Sequence, residues 1–194
     1  MRRPLSHLLP VATLIAAAAL AGCGSDAATG DKGYVAGDGS VSLVPVESRK
    51  VPDEVSGATL QGKQVSLQDF AGKPVVVNVW GSWCGPCRAE SGKLTAAAKN
   101  LGSRAAFLGI NVRDPGSTAK PLAFERRLGV SYPSIYDPAG RTLLAFEGTV
   151  PLASIPSTVV IDSKGRVAAS ILGPVPTART LEDLVADVEN GTPK

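Results

Sequence analysis

An α/β domain with a parallel strand pair is the fold class this sequence predicts, and three segments predict it. Val75-Val76-Val77-Asn78-Val79-Trp80 is a near-continuous β-branched run, the pattern of a strand buried on both faces. Cys84 to Leu101 follows, with Cys87, Leu94, Ala98 and Leu101 at helical spacing and Gly102 placed to end the helix. Ala105 to Val112 is a second apolar run. Strand, helix and strand at this spacing make a βαβ unit. The chain has 194 residues, 44% hydrophobic and 19% charged, which suits one domain, two at most.

The other elements follow from local signals. Val41, Leu43, Val44 and Val46 form a short apolar segment, and Pro45, which lacks an N–H, limits it to an edge strand. Thr59 to Val65 reads as a hairpin with Gly62 in its turn. Asp114-Pro115-Gly116 is a turn signal. Thr118 to Leu128 can be helical, with Pro121 tolerated in the first turn. Ser134 to Tyr136 is a short strand. Ser157 to Asp162 and Arg166 to Leu172 are strands joined at Ser163-Lys164-Gly165. The last helix runs from about Thr180 to Glu189, with Leu181, Leu184, Val185 and Val188 on one face and Gly191 after it.

Ahead of the domain, residues 1–22 have the make-up of an export signal. Arg2 and Arg3 form a positive start, and Leu8 to Leu20 is a largely apolar, uncharged stretch too short to span a bilayer. The residues around Arg2-Arg3 fit twin-arginine export poorly. Leu20-Ala21-Gly22-Cys23 resembles a bacterial lipobox, in which cleavage before Cys23 and lipidation of its sulfur would make that residue the mature N-terminus. Residues 24–40 hold five glycines among Ser, Asp, Ala and Thr, so 23–40 reads as a lipidated cysteine and flexible tether, with a reach of ~20–25 Å. The folded domain is expected over 41–194. Removing 1–22 leaves 18 basic against 17 acidic side chains, a net charge of +1, which gives no reason to expect a nucleic-acid partner. Acyl chains rather than charge would hold the protein at the membrane.

The leader contains the only histidine, His7, and the only methionine, Met1. A mature chain without imidazole excludes Ser-His-Asp and Cys-His catalysis and His-ligated zinc. Three cysteines, Cys23, Cys84 and Cys87, exclude a disulfide-rich scaffold.

The informative motif is Trp83-Cys84-Gly85-Pro86-Cys87, placed where a buried strand turns into a helix. Cys84 at the helix N-terminus would have its thiolate stabilised by free N–H groups and the dipole. Cys87, one turn later, could attack a mixed disulfide and release the partner. Cys84 is therefore the candidate nucleophile and Cys87 the candidate resolving thiol. Structural zinc needs four ligands and finds two thiols here. A purely structural bond across so short a loop would stabilise little. Cu(I) held by the two thiolates is chemically allowed. A solute-binding lipoprotein would leave the cysteine pair unexplained.

Asn78 to Glu90, reading Asn-Val-Trp-Gly-Ser-Trp-Cys-Gly-Pro-Cys-Arg-Ala-Glu, resembles the active site of the TlpA/ResA-type thioredoxin-like family. The likeness runs from about Pro52 to Val188. Ile155 to Asp162 resembles the family's cis-proline loop and next strand, and Ser117 to Asp137 its insertion. The resemblance implies a thioredoxin fold: a central mixed sheet flanked by helices, with an N-terminal β-hairpin and a central helix-plus-strand insertion. It implies a cis Ile155–Pro156 bond beside Cys84, and a substrate surface formed by Trp83, Gly85, Pro86, Ile155 and Pro156. Asn78 stands where cytoplasmic thioredoxins carry a proton-accepting aspartate, and its amide cannot titrate. Glu90, one turn beyond Cys87, reads either as a solvated helix glutamate or as an aid to proton transfer at the resolving thiol. Gly92 replaces the family's usual proline, so a helix bend can persist there. Trp80 reads as core, and Arg88 either as a solvated arginine or as a charge lowering a thiol pKa.

Together these features imply a thiol–disulfide oxidoreductase at the outer face of a bacterial cell membrane, a monomer exchanging electrons with cysteine pairs of exported proteins. It would need no separate cofactor and no metal. Reduction is the expected direction, since Gly85-Pro86 is the thioredoxin-type dipeptide; the family resemblance implies apocytochrome c, its thiols prepared for haem attachment, as one substrate class, and a membrane electron donor would restore the dithiol. A disulfide-introducing oxidase, with a membrane electron acceptor, and a Cu(I)-binding lipoprotein are the alternatives.

Overall fold

The computed structural model describes residues 41–150, 152 and 154–191. The expected leader, the lipidated Cys23 and the tether up to Ser40 lie outside the described residues.

Eight strands and three α-helices follow one another among the described residues: β1 (Val41–Leu43), β2 (Ser56–Ala58), β3 (Gln64–Ser66), β4 (Val75–Trp80), α1 (Gly85–Leu101), β5 (Ala106–Val112), α2 (Ala119–Leu128), β6 (Ser134–Asp137), β7 (Ser157–Ile161), β8 (Val167–Leu172) and α3 (Ala178–Asn190). Six strands form one mixed sheet in the order β1-β8-β7-β4-β5-β6. The pairs β4–β5 and β5–β6 are parallel, and the other three pairs are antiparallel. This is the thioredoxin-like arrangement that the resemblance implies, with α2 and β6 as the helix-plus-strand segment.

Every residue of β4 is buried, because the strand is central and covered on both faces. Its side chains alternate in their surroundings. Val76 packs with Leu94, Ala97 and Leu101 of α1 and Leu181, Leu184 and Val185 of α3. Val75, Val77 and Val79 pack on the other face with Leu108, Ile110, Phe146 and Val150. That second face is closed by a 3₁₀ segment, Arg141–Phe146, whose apolar residues have too short a run to show a helical period in the sequence.

The hairpin β2–β3 turns at Gly62, whose φ of 82° suits glycine. It rests against the open edge of β6: Leu60 N–H donates to Ser134 O at 2.9 Å, and a Cβ on Gly57 would come within 2.7 Å of Ile135 Cγ2. Strand β1 is an edge strand, as Pro45 requires, and ends two residues before it. Helix α1 runs unbroken through Gly92, which is exposed and has open space around it. No helix among the described residues is long and apolar enough to cross a membrane.

Candidate active site

The site forms where β4 ends and α1 begins. Cys84 is the N-cap of α1, in extended backbone, and its N–H donates back to Gly81 O at 3.1 Å. Pro86 sits in the first helical turn, where its missing N–H has no partner to lose. Cys84 and Cys87 are joined as a disulfide, with Cα atoms 5.3 Å apart. The Cys87 N–H also donates to Cys84 Sγ at 3.1 Å, so the cap is made by the sulfur itself. The first-turn N–H that would stabilise a thiolate is already aimed at it.

The structure differs from a simple picture of an open nucleophile. Both cysteines are about 2% exposed in this oxidised form. They pack in a cluster with Leu60, Trp80 and Phe124, against which Ile155 also lies. The exposed surface around them consists of Trp83, which is 52% exposed, and Gly85 and Pro86. Trp83 lies back over Gly81, where a Cβ would be only 2.6 Å from its Nε1. The Ile155–Pro156 bond is cis, and Pro156 is buried while Ile155 is half-buried. Trp80 is core, stacked on Phe124 with ring centroids 4.7 Å apart. Arg88 is exposed.

Glu90 corrects the reading of a solvated helix glutamate: it is fully buried. Helix α1 turns it toward β4, where Asn78 Nδ2 donates to its Oε1 at 3.0 Å. From the loop after β8, the Val175 N–H donates to its Oε2 at 2.7 Å. Burial raises its pKa above the ordinary carboxyl range, and the bonds from Val175 and Asn78 and the charge of Lys93 offset only part of that rise. Asn78 also donates to Thr158 Oγ1 at 3.1 Å and Ser157 O at 3.4 Å, which ties the carboxyl to the strand that follows the cis-proline. A cavity of about 10 Å³, the size of one water, lies beside Cys87 and Asn78, bounded further by Ser91 and Tyr132.

A second buried acid escaped the sequence reading. Glu125 of α2 is held above its ordinary pKa by burial, against the opposing bonds from Ser134 and Gln61. Tyr132 is pushed up as well, by burial and then by the negative charge of Glu90 and Glu125. Asp114 was also missed. Its carboxylate is buried and bonded to Ser82, two residues before Cys84. The sequence offers Asp114 only a turn signal, and its partner lies 32 residues upstream. No group of three or more His, Cys, Asp or Glu side chains among the described residues is placed to hold a metal ion.

Residues 46–188 match the Redoxin family model. The chain is 32% identical over 137 residues to the thiol-disulfide oxidoreductase ResA of Geobacillus thermodenitrificans, covering 69% of this chain and 72% of the relative. It is 35% identical over 130 residues to a thiol:disulfide interchange protein DsbE homolog of Paracoccus denitrificans, covering 66% of each. Solved structures are similar as well, among them two from Corynebacterium. One is a DsbF homologue from Corynebacterium diphtheriae, at 36% identity and a TM-score of 0.70, covering 80% of this chain and 98% of that one. The other is a secreted thiol-disulfide isomerase from Corynebacterium glutamicum, at 33% identity and a TM-score of 0.72, covering 81% and 96%. A cysteine pair closed at a helix N-terminus on a thioredoxin-like sheet, together with these relatives, places the chain in the Redoxin family as a thiol–disulfide oxidoreductase of the ResA/DsbE type.

Proposed function

We propose that Cys84 is the attacking thiolate and Cys87 the resolving thiol of an extracytoplasmic reductase that acts on cysteine pairs of exported proteins. The observation that carries this is the Cys84–Cys87 disulfide at the first turn of α1, with the Cys87 N–H donating to Cys84 Sγ. In the reduced protein, the Cys84 thiolate attacks one sulfur of a substrate disulfide. A mixed disulfide forms and the other substrate sulfur leaves as a thiolate. Cys87 loses its proton and attacks Cys84 Sγ, which releases the second substrate thiolate and restores the enzyme disulfide. Two electrons pass to the substrate, and the two substrate thiolates take up protons.

Trp83, Gly85 and Pro86, with the half-buried Ile155, form the docking surface in this reading, and the buried Pro156 shapes it from beneath through its cis bond. The nearly covered sulfurs require a partner that seats closely over Trp83 and the cis-proline loop. Glu90 is the candidate proton acceptor for Cys87. Its raised pKa suits it to exchange a proton nearer neutrality than an ordinary carboxyl does.

The location outside the cytoplasm and the lipid anchor at Cys23 rest on the sequence of residues 1–23, and the secreted C. glutamicum relative supports the first of these. Each turnover leaves the pair oxidised, so a membrane electron donor must restore it. Apocytochrome c whose cysteine pair has closed to a disulfide, and must be reopened to thiols before haem attachment, is the substrate class that the family resemblance points to.

Reduction of insulin disulfides by the purified protein tests the assignment. The wild type should turn over and Cys84→Ser should fall to the uncatalysed rate. A wild type no faster than that variant overturns the proposal. The midpoint potential sets the direction: near about −270 mV supports reduction, and near about −120 mV supports oxidation instead.

A further inference from the structure

We propose that Asp114 is a positioning residue that fixes the loop carrying Trp83 and Cys84 for docking to a protein substrate. The inference rests on Cys84 being the attacking residue. The β4–β5 ladder ends at the pair Trp80 and Asn111. Beyond it the two chains separate, one toward Cys84 and the other toward α2. A side-chain tie takes over at this point. Asp114 Oδ2 accepts from the Ser82 N–H at 2.7 Å and Oδ1 accepts from Ser82 Oγ at 2.6 Å. Asn111 Nδ2 donates to Oδ2 at 2.7 Å, so three donors converge on one carboxylate that is only 5% exposed. Hydrogen bonds to an ionised acceptor are roughly twice as strong as neutral ones, and burial keeps water from competing for them.

The loop around the carboxylate is held from outside as well. Tyr136 OH donates to the Asp114 backbone oxygen at 2.8 Å, and the Arg113 N–H donates to Pro138 O at 3.2 Å. Arg113 takes a φ of 55°, a left-handed conformation unfavourable for a residue with a Cβ. In an Asp-Pro-Gly turn, the aspartate side chain ordinarily caps its own backbone two residues on. Here both oxygens reach across to another segment.

What they hold is the hinge of the reactive loop. Ser82 lies between Gly81, whose oxygen accepts from the Cys84 N–H, and Trp83, whose indole lies over Gly81. Clamping Ser82 at both its backbone N–H and its hydroxyl therefore fixes the turn that presents Cys84 and the half-exposed ring beside it. Neither contact touches a sulfur. The clamp should matter most for a large partner that must fit the Trp83 surface, and least for a small disulfide that needs only a sulfur.

Kinetics of Asp114→Ala, Asp114→Asn and Ser82→Ala with insulin and with oxidised glutathione test this. Asp114→Ala should raise KM for insulin by about tenfold or more, the scale expected from a slightly misplaced reactive loop, while the glutathione rate changes less than about twofold. Asp114→Asn keeps one acceptor and Ser82→Ala keeps the backbone bond, so both should fall between Asp114→Ala and wild type. Backbone order parameters of Ser82 and Trp83 should drop in Asp114→Ala, a readout independent of turnover. If all three variants keep the wild-type ratio of insulin to glutathione rates and rigid Ser82 and Trp83 amides, whatever their thermal stability, Asp114 is not a positioning residue. A wild type unable to reduce insulin, with the order parameters still falling in Asp114→Ala, would refute the role of Cys84 and leave the clamp standing.

Discussion

Asn78 and Glu90, from the middle of β4 and the second turn of α1, meet in a 3.0 Å hydrogen bond in the enclosed interior behind Cys87. The amide gives the carboxyl a permanent donor that does not titrate. Burial then holds the Glu90 pKa above its ordinary value near 4.5, and Glu125 shifts in the same direction.

That shift fixes a sign for stability against pH. A carboxyl with a raised folded pKa binds its proton more tightly in the folded state. Its contribution is complete below about 4.5 and is lost as pH rises through the higher folded value. Urea unfolding of the oxidised protein between pH 4 and 8 should therefore show stability from these groups falling toward pH 8. Glu90→Gln should flatten that fall. At pH 4 it should also cost ~1–3 kcal/mol, because its amide N–H would face one of the donors from Asn78 or Val175. Equal slopes in the variant and the wild type would contradict the assignment.

Removing the resolving sulfur should stall exchange at its midpoint. Cys87→Ala, reduced beforehand, should accumulate a mixed disulfide between Cys84 and a disulfide-bearing protein partner, visible as a band sensitive to reductant on gels. Cys84→Ser should give no such band. Equal trapping through either cysteine would mean that Cys84 is not the attacking residue.

Gly109 of β5 stands opposite Asn78 and leaves room for the Trp80 indole N–H to donate to Ser134 Oγ at 3.3 Å. A Cβ on Gly109 would overlap Ser134 Oγ and approach Trp80 Nε1 to 2.9 Å. Gly109→Ala should cost ~1–3 kcal/mol, seen as a fall of several degrees in Tm. An unchanged Tm would show that the ring and Ser134 can yield.

Gly92 offers the opposite case. It is exposed in mid-helix with open space around it, so Gly92→Ala should stabilise the protein by ~0.5–1 kcal/mol in chemical denaturation. A loss of stability would indicate that α1 needs the glycine for a bend.

The βαβ unit was legible because its signals are local: a β-branched run, a cysteine able to cap a helix, a glycine able to end one. The disulfide motif was legible because spacing alone puts Cys87 one turn beyond Cys84. Glu90 was not, since its burial depends on Val175, 85 residues further along, and on which face of β4 carries Asn78. Asp114 was hidden for a similar reason, its turn signature being local and its partner Ser82 distant. The 3₁₀ segment Arg141–Phe146 has six residues, only two turns of such a helix, too few for its apolar side chains to show a period.

The pairing of β1 bears on how the molecule would face its surroundings. Val41 pairs with Ile171, Ile171 with Thr158, and Thr158 with Asn78, so the first residue of β1 lies level with the middle of β4, two residues short of its reactive end. β1 runs antiparallel to β4, so Val41 is the residue of β1 nearest the reactive end of β4, three strand spacings or roughly 14 Å to the side. Anything fastened to the N-terminal side of Val41 starts out from that end of the sheet, and a flexible tether reaching ~20–25 Å from an acylated Cys23 would let the disulfide turn toward an embedded donor and toward exported proteins alike.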